Sequence, residues 1–361
     1  MGRSPDIASL FQAFGGDPLS YREFEIAEPV AAVSPALATN TNAPAVISVP
    51  SLPAEQQPVP ARAVNELDIV EQAENTTFPP LSQELAQLQA RRHEQDAVAA
   101  LDRALSTAVP PLPTRVLAIA SAKGGTGKTV VAAGLALALS RLGQPVLLVE
   151  LDAQHVLSAL LMPKAPPAVG LANEPLAACL PIDAGFRLLP FGSLEEAALC
   201  RFEQRLLTEP LWLARRLAAL DLNADTLVVL DCPTGSTPLG RQALALASQV
   251  LGVTTADAAG YASLARLERQ WQACAPAASH AHLLNRVDPL RPLTLDIATI
   301  VSRTRADRLL GVLPESTALE QALALGQGLY SLDDAWSTAV TQLAQALAND
   351  GPSLPSLRAQ G

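Results

Sequence analysis

A chain of 361 residues that is 49% hydrophobic can bury a sizeable core. Its formal charge of −10, with no block of Lys or Arg, argues against gripping nucleic acid by its phosphates, which takes several clustered cations. Four cysteines with no CxxC spacing fit small buried residues in a reduced, cytoplasmic protein better than a disulfide scaffold or a zinc site.

In chain order, residues 1–110 carry six arginines, no lysine and fourteen acidic residues, a net −8 of the chain's −10. Proline-rich runs such as "AVISVPSLPAEQQPVPAR" cannot bury much apolar surface, so this extension is expected to be largely disordered. Its first part, 1–28, differs. Ile7, Leu10, Phe11 and Phe14 stand at helical spacing before Gly-Gly-Asp-Pro, followed by Tyr21, Phe24 and Ile26. Such an island suits a peptide that docks on a partner, or a terminal helix lying on the chain's own domain. The start lacks a cationic stretch leading into an apolar core, so it is not read as a secretion signal. Within the linker 29–114, an amphipathic pattern predicts a helix over 80–105 that pairs with another helix.

From Arg115 onward, short apolar runs alternate with helical patterns. Strands are predicted at Val116–Ser121, Pro145–Leu151, Phe186–Phe191, Thr226–Asp231, Gln249–Thr255, His280–Val287 and Leu309–Pro314. Helices are predicted at Lys128–Leu142, Leu194–Leu220, Tyr261–Ala275 and Leu293–Thr304. Apolar runs without in/out alternation belong in a sheet covered on both faces, so 115–350 reads as one three-layer α/β domain with a mostly parallel sheet, followed by a disordered tail, 351–361. No stretch reaches the roughly 20 uninterrupted apolar residues of a spanning helix.

Lysine is rare here, three against twenty-two arginines, yet Lys123 and Lys128 both fall in "SAKGGTGKT", after a strand and at the opening of a helix. In that setting Gly124, Gly125 and Gly127, with Thr126 between them, let backbone N–H groups curl around a phosphate chain whose charge the helix N-terminus favours. The ammonium of Lys128 reaches the outer phosphates as a compact point charge, where an arginine fork would not fit, and the Thr129 hydroxyl joins a magnesium shell. This is a P-loop, and the phosphate chain of a nucleotide with Mg2+ is the expected ligand pair.

Lys123, directly after Ala122, sets the run apart from an ordinary P-loop. "KGGTGKT" resembles the deviant P-loop of the MinD/ParA family of dimeric ATPases, which implies the three-layer P-loop NTPase fold. The resemblance also implies that Lys123 crosses to the partner subunit's phosphates, so that ATP controls a homodimer. It further implies that Asp152 in "VELDAQ" orients the attacking water, although Glu150 and Ala153 replace the usual aspartate and proline of that segment. By the same likeness Asp231 in "TLVVLDCP" holds the magnesium shell, Asn285 in "LLNRVD" reads the adenine edge, and the loop at Pro314 and Glu315 passes beside the base. Val130 replaces a common second threonine after the loop.

Within that family, "RLLPFGSLEEAA", "NRVDPLRPLTLDI" and "RLLGVLPESTALEQALALGQ" resemble the BcsQ branch, linked to bacterial cellulose synthesis, and "DIASLFQAFGGDPLSYREFEI" resembles the short BcsR/BcsP-type proteins. The resemblance implies an ATP switch bound through partners to the cytoplasmic side of an inner-membrane cellulose synthase complex, with no specific nucleic acid and no membrane insertion. Segment 333–349, amphipathic through Trp336, Val340, Leu343 and Leu347 but lacking Lys and Arg, is expected to cover the core rather than dock on lipid. Cys232, beside Asp231, lies too near the nucleotide strand for an iron–sulfur ligand, and no glycosyltransferase motif is present. A DNA- or pole-positioning ATPase and a nucleotide-holding scaffold with little hydrolysis stand as alternatives.

Overall fold

A computed structural model describes residues 81–108, 112–162, 168–329 and 332–349. The 1–28 docking segment, the proline-rich part of the linker up to residue 80 and the 351–361 tail lie outside the described residues.

Among the described residues, eight strands form one sheet. They are β1 (Arg115–Ala120), β2 (Val146–Glu150), β3 (Leu180–Asp183), β4 (Phe186–Leu189), β5 (Leu227–Asp231), β6 (Gln249–Thr255), β7 (Ser279–Val287) and β8 (Leu309–Pro314), in spatial order β3-β4-β2-β5-β1-β6-β7-β8. All neighbours are parallel except the β3–β4 hairpin. The seven predicted strands are present. β3 was not foreseen, because "LPID" is short, contains proline and buries neither Pro181 nor Asp183.

Successive side chains of a strand feed opposite layers, so the apolar runs fill two cores. Leu117 and Ile119 of β1 join one cluster with α2 (Lys128–Arg141) and α10 (Ala335–Asn349), while Val116, Ala118 and Ala120 join the other. On that second face lie α4 (Glu196–Thr208), α5 (Trp212–Ala218), α6 (Pro238–Leu246) and α7 (Ala258–Cys274), and α1 (Leu81–Ala108) packs on α4, α6 and α7. α1 realises the predicted 80–105 helix, with Leu101 and Leu105 buried in the contact. The remaining helices are α3 (Val156–Leu161), α8 (Pro292–Thr304) and α9 (Thr317–Ala324); α3, α6 and α9 are too short to stand out as periodic patterns.

The single helix expected over Leu194–Leu220 is two. Pro210 lacks an N–H and drives the residue before it out of helical space, and Glu209 accordingly sits at φ −116, ψ 78 between α4 and α5.

α10 buries Trp336, Val340, Leu343 and Leu347. At about 1.5–3 kcal/mol for each large apolar side chain buried, this is a core helix. It approaches so closely that a Cβ on Gly134 of α2 would lie 2.6 Å from the Trp336 ring. Gly134→Val is therefore expected to cost about 1–3 kcal/mol by overpacking, read as a lower urea midpoint at unchanged slope. An unchanged midpoint would show that the indole yields freely.

Among the described residues no helix is long and apolar enough to cross a membrane. Cys232 and Cys274 are buried, as expected, whereas Cys179 is half-buried and Cys200 exposed. The expectation of four buried cysteines therefore fails at these two, since Cys200 lies on the outer side of α4.

Candidate nucleotide-binding site

β1 lies mid-sheet with β5 on one side and β6 on the other, and the loop leaving its carboxyl end opens into the crevice where open α/β sheets bind ligands. Residues 121–127 form that loop, and α2 starts at Lys128. Gly125 and Gly127 adopt the left-handed region, at φ 75 and φ 80. Gly127 is required twice over, since a Cβ there would also meet the Asn285 amide at 2.4 Å.

Lys128 is 5% exposed and donates to Asp231 Oδ1 at 2.6 Å, with Thr129 Oγ1 at 3.4 Å from the same ammonium. Burial raises the Asp231 carboxyl above the ordinary carboxylate range, with the Lys128 charge pulling against it. Asp231 Oδ2 is buried without a protein partner. An orphaned carboxylate oxygen near a threonine hydroxyl and a phosphate-type loop fits the water shell of a hard cation.

Lys123 turns away from this pair. Its ammonium lies 3.1 Å from Asp257 Oδ2 and 3.5 Å from Thr255 Oγ1. Asp257 also caps α7, accepting the Gly260 N–H at 2.7 Å. Burial pushes the Asp257 carboxyl up, but bonds from Thr255, Gly260 and Lys123 outweigh it and hold the group below its usual range.

Asp152 follows β2, and its carboxylate accepts the Gln154 N–H at 3.0 Å. With Ala153, Gln154, Phe191, Phe202, Pro233 and Thr234 it lines a cleft. Glu150, two residues upstream at the end of β2, is fully buried and accepts from Ser158 N (3.0 Å), Ser158 Oγ (2.5 Å) and Phe191 N (3.3 Å). It thus anchors the segment that carries Asp152.

Asn285 and Pro314 both line a pocket with Gly127, Val130, Leu319 and Trp336. The Asn285 amide nitrogen donates to Thr126 O at 2.8 Å, leaving Oδ1 buried and without a partner. The carbonyl oxygen is thus left to accept a hydrogen bond from a ligand.

The structure brings Gly124–Gly127, Lys128, Thr129, Asp231, Asn285 and Pro314 to one end of the sheet, with Asp152 on the adjoining strand end and Lys123 drawn toward β6. Two partners escaped the sequence reading. Asp257 carries a visible helix-capping signal in "TADAAG", but nothing in the sequence ties it to Lys123; Arg286, left-handed at φ 58, bonds Glu315 and Glu320 across the pocket edge with no motif to mark it. Among the described residues no group of three or more His, Cys, Asp or Glu suits a metal, and burial pushes the Cys232 thiol up to about 12.

The family model of the cellulose biosynthesis protein BcsQ matches residues 114–348. The chromosome-partitioning ATPase Soj of Thermus thermophilus is 41% identical over 140 residues, 38% of this chain and 53% of that protein. The chain spans about half the length of the curated relatives it matches. Among solved structures, cobyrinic acid a,c-diamide synthase of Mycobacterium smegmatis, with bound ATP analog and magnesium, superposes with a TM-score of 0.56 at 27% identity, over 68% of this chain and 99% of that one. The cell division ATPase MinD of Pyrococcus furiosus shares the fold, with a TM-score of 0.51 at 24% identity over 65% and 98% of the two chains.

Proposed function

The chain belongs to the BcsQ family of cellulose biosynthesis proteins, within the MinD/ParA-type P-loop ATPases, and from that membership we propose a switch that dimerises around ATP and is reset by hydrolysis. The buried Lys128–Asp231 pair at the end of a glycine loop carries this reading. A triphosphate would draw Lys128 from Asp231, while Gly124–Gly127 and the first turn of α2 would bind its oxygens through N–H groups. Mg2+, when bound, supplies charge neutralisation at the phosphates, and Thr129 and Asp231 are the side chains that would hold its shell. Asp152 is assigned to orient water, Lys123 to bridge to the partner's phosphates, and Asn285 with the Pro314 loop to seat the base.

For what the switch acts on, the family match supports a part in cellulose biosynthesis, and the reading we attach to it is the cytoplasmic side of a cellulose synthase complex, reached through partner proteins. A second reading, a positioning ATPase acting on DNA or the cell pole, has the 41% identity to a chromosome-partitioning ATPase behind it. The near-neutral 111–361 portion speaks against the DNA form of it.

The test is the mass of the full chain in solution with ADP and with Mg2+ and a nonhydrolysable ATP analogue. Doubling with the analogue alone is expected; an unchanged mass in both rejects the dimerising switch. Titration of the analogue-bound form with duplex DNA at low salt separates the cargoes, because salt-sensitive binding selects the positioning reading and a flat response removes its DNA form.

A further inference from the structure

A loop of seven residues touches three parts of the molecule. Residues 231–237 join Asp231 of β5 to the first turn of α6. Near the phosphate loop the Cys232 N–H donates to Ile119 O and the Gly235 N–H to Ser121 O, both at 3.1 Å. Behind the loop, Gln270 Nε2 of α7 donates to Gly235 O at 3.3 Å. Ser236 Oγ accepts from Arg241 Nη2 at 2.6 Å. The other end nitrogen of that guanidinium, Nη1, donates to both oxygens of Asp102, at 2.5 Å. Asp102 belongs to α1, and its side chain is 25% exposed against 14% for Arg241. Arg241 therefore ties the helix that precedes the ATPase domain to the loop that follows the magnesium-side aspartate. A mostly buried, charge-assisted fork of this kind holds its partners in fixed geometry.

We infer that Asp102 and Arg241 are positioning residues for the 231–237 loop, so that the hold on helix α1 and the binding of nucleotide are energetically linked; this rests on the nucleotide reading above. The two-state element is the Asp231 end. With Lys128 at 2.6 Å, Asp231 is paired to protein; when a phosphate takes the ammonium, Asp231 must change partners, and the loop begins at that residue. Ser236 lies five residues on and is bonded to the same guanidinium that grips Asp102. The clasp favours the arrangement in which Lys128 is bonded to Asp231. Nucleotide binding then loosens α1, and by reciprocity a weakened clasp tightens nucleotide binding.

Hydrogen exchange of the full chain, with and without Mg2+ and ATPγS, tests the link. Slower exchange in α2 together with faster exchange over 97–105 is expected. Asp102→Asn should abolish the α1 response and lower the Kd for ATPγS about fivefold or more, the lower range of such couplings. Ser236→Ala cuts the relay at its other end without touching the ion pair, so it serves even if Asp102→Asn folds poorly. Its effect on Kd should match in direction, and the double variant should change Kd by less than the product of the two single effects. Slower exchange in α2 with α1 unmoved, or a Ser236→Ala variant with wild-type affinity, overturns the linkage while leaving the nucleotide reading intact. Unchanged exchange in α2 itself would instead remove the nucleotide reading and the linkage with it.

Discussion

Lys128→Met is expected to weaken nucleotide binding about 100-fold or more and to destabilise the empty protein at the same time. Hydrogen bonds from a charged donor contribute about 1.5–3 kcal/mol each, and the loss of one or two of them at the phosphates reaches a hundredfold in Kd. The stability effect has a separate cause. Lys128 and Asp231 are 5% and 1% exposed, and removing one partner leaves the other buried and uncompensated, at about 3–5 kcal/mol. Burial already holds the Asp231 pKa above its ordinary value with Lys128 opposing it, so the variant raises it further. A carboxyl whose folded pKa exceeds its unfolded one loses stability as pH rises from the unfolded value through the folded one. The deficit should therefore be largest at neutral pH and shrink under acid conditions. Urea unfolding at pH 5 and pH 7, alongside fluorescent-nucleotide titration, measures both effects. Lys128→Met/Asp231→Leu should recover most of the stability and none of the binding. A single variant as stable as wild type at pH 7 would show that the pair is solvated in solution.

The second large effect is expected to be almost invisible in stability. Lys123→Ala removes an ion pair whose side chains are 35% and 48% exposed, a loss of about 0–1 kcal/mol. Asp257 keeps its capping bond to Gly260, so α7 should not fray. Nucleotide binding to one subunit should change little, because Lys123 faces Asp257 rather than Lys128 and Asp231. What should disappear is the ATP-dependent dimer, and with it hydrolysis, by about 10³-fold if the lysine neutralises the transferred phosphate from across the interface as other trans-acting cations do. Lys123→Arg is not expected to rescue, because a planar fork does not replace a compact ammonium in a tight glycine loop. Light scattering with the ATP analogue and single-turnover hydrolysis provide the readouts. A Lys123→Ala protein that still doubles in mass and turns over ATP would remove the trans-lysine assignment.

The glycine-loop part of the candidate site could be read from the chain because its determinants are local. Three glycines, a lysine and a threonine within a few residues, between an apolar run and a helical pattern, leave few alternatives for the backbone. The placement of Asp231 was legible for a related reason: it ends a strand whose five residues are all buried. Contacts that depend on distant residues were not legible. Lys123 and Asp257 are 134 positions apart, and only the β1–β6 pairing brings their loops together. Asn285 was foreseen at the base, but not that its amide nitrogen would be engaged by Thr126, which requires the tip of β7 to meet the glycine loop. In the fold, Pro210 lay in plain sight, yet helical periodicity on both sides concealed the break. The unforeseen β3 carries too little apolar surface to announce itself and exists because β4 gives it an antiparallel partner.

That small strand has a consequence for how copies of the chain can associate. A flat open edge is a template for another molecule's backbone and the usual start of fibrous aggregation. Here the border strand has four residues, includes Pro181, which offers no N–H, ends on exposed Asp183, and breaks its pairing between these two positions. Each of these blunts the template. Self-association on this flank by extending the sheet is disfavoured from the outset, so copies of the chain that meet must do so elsewhere than at β3.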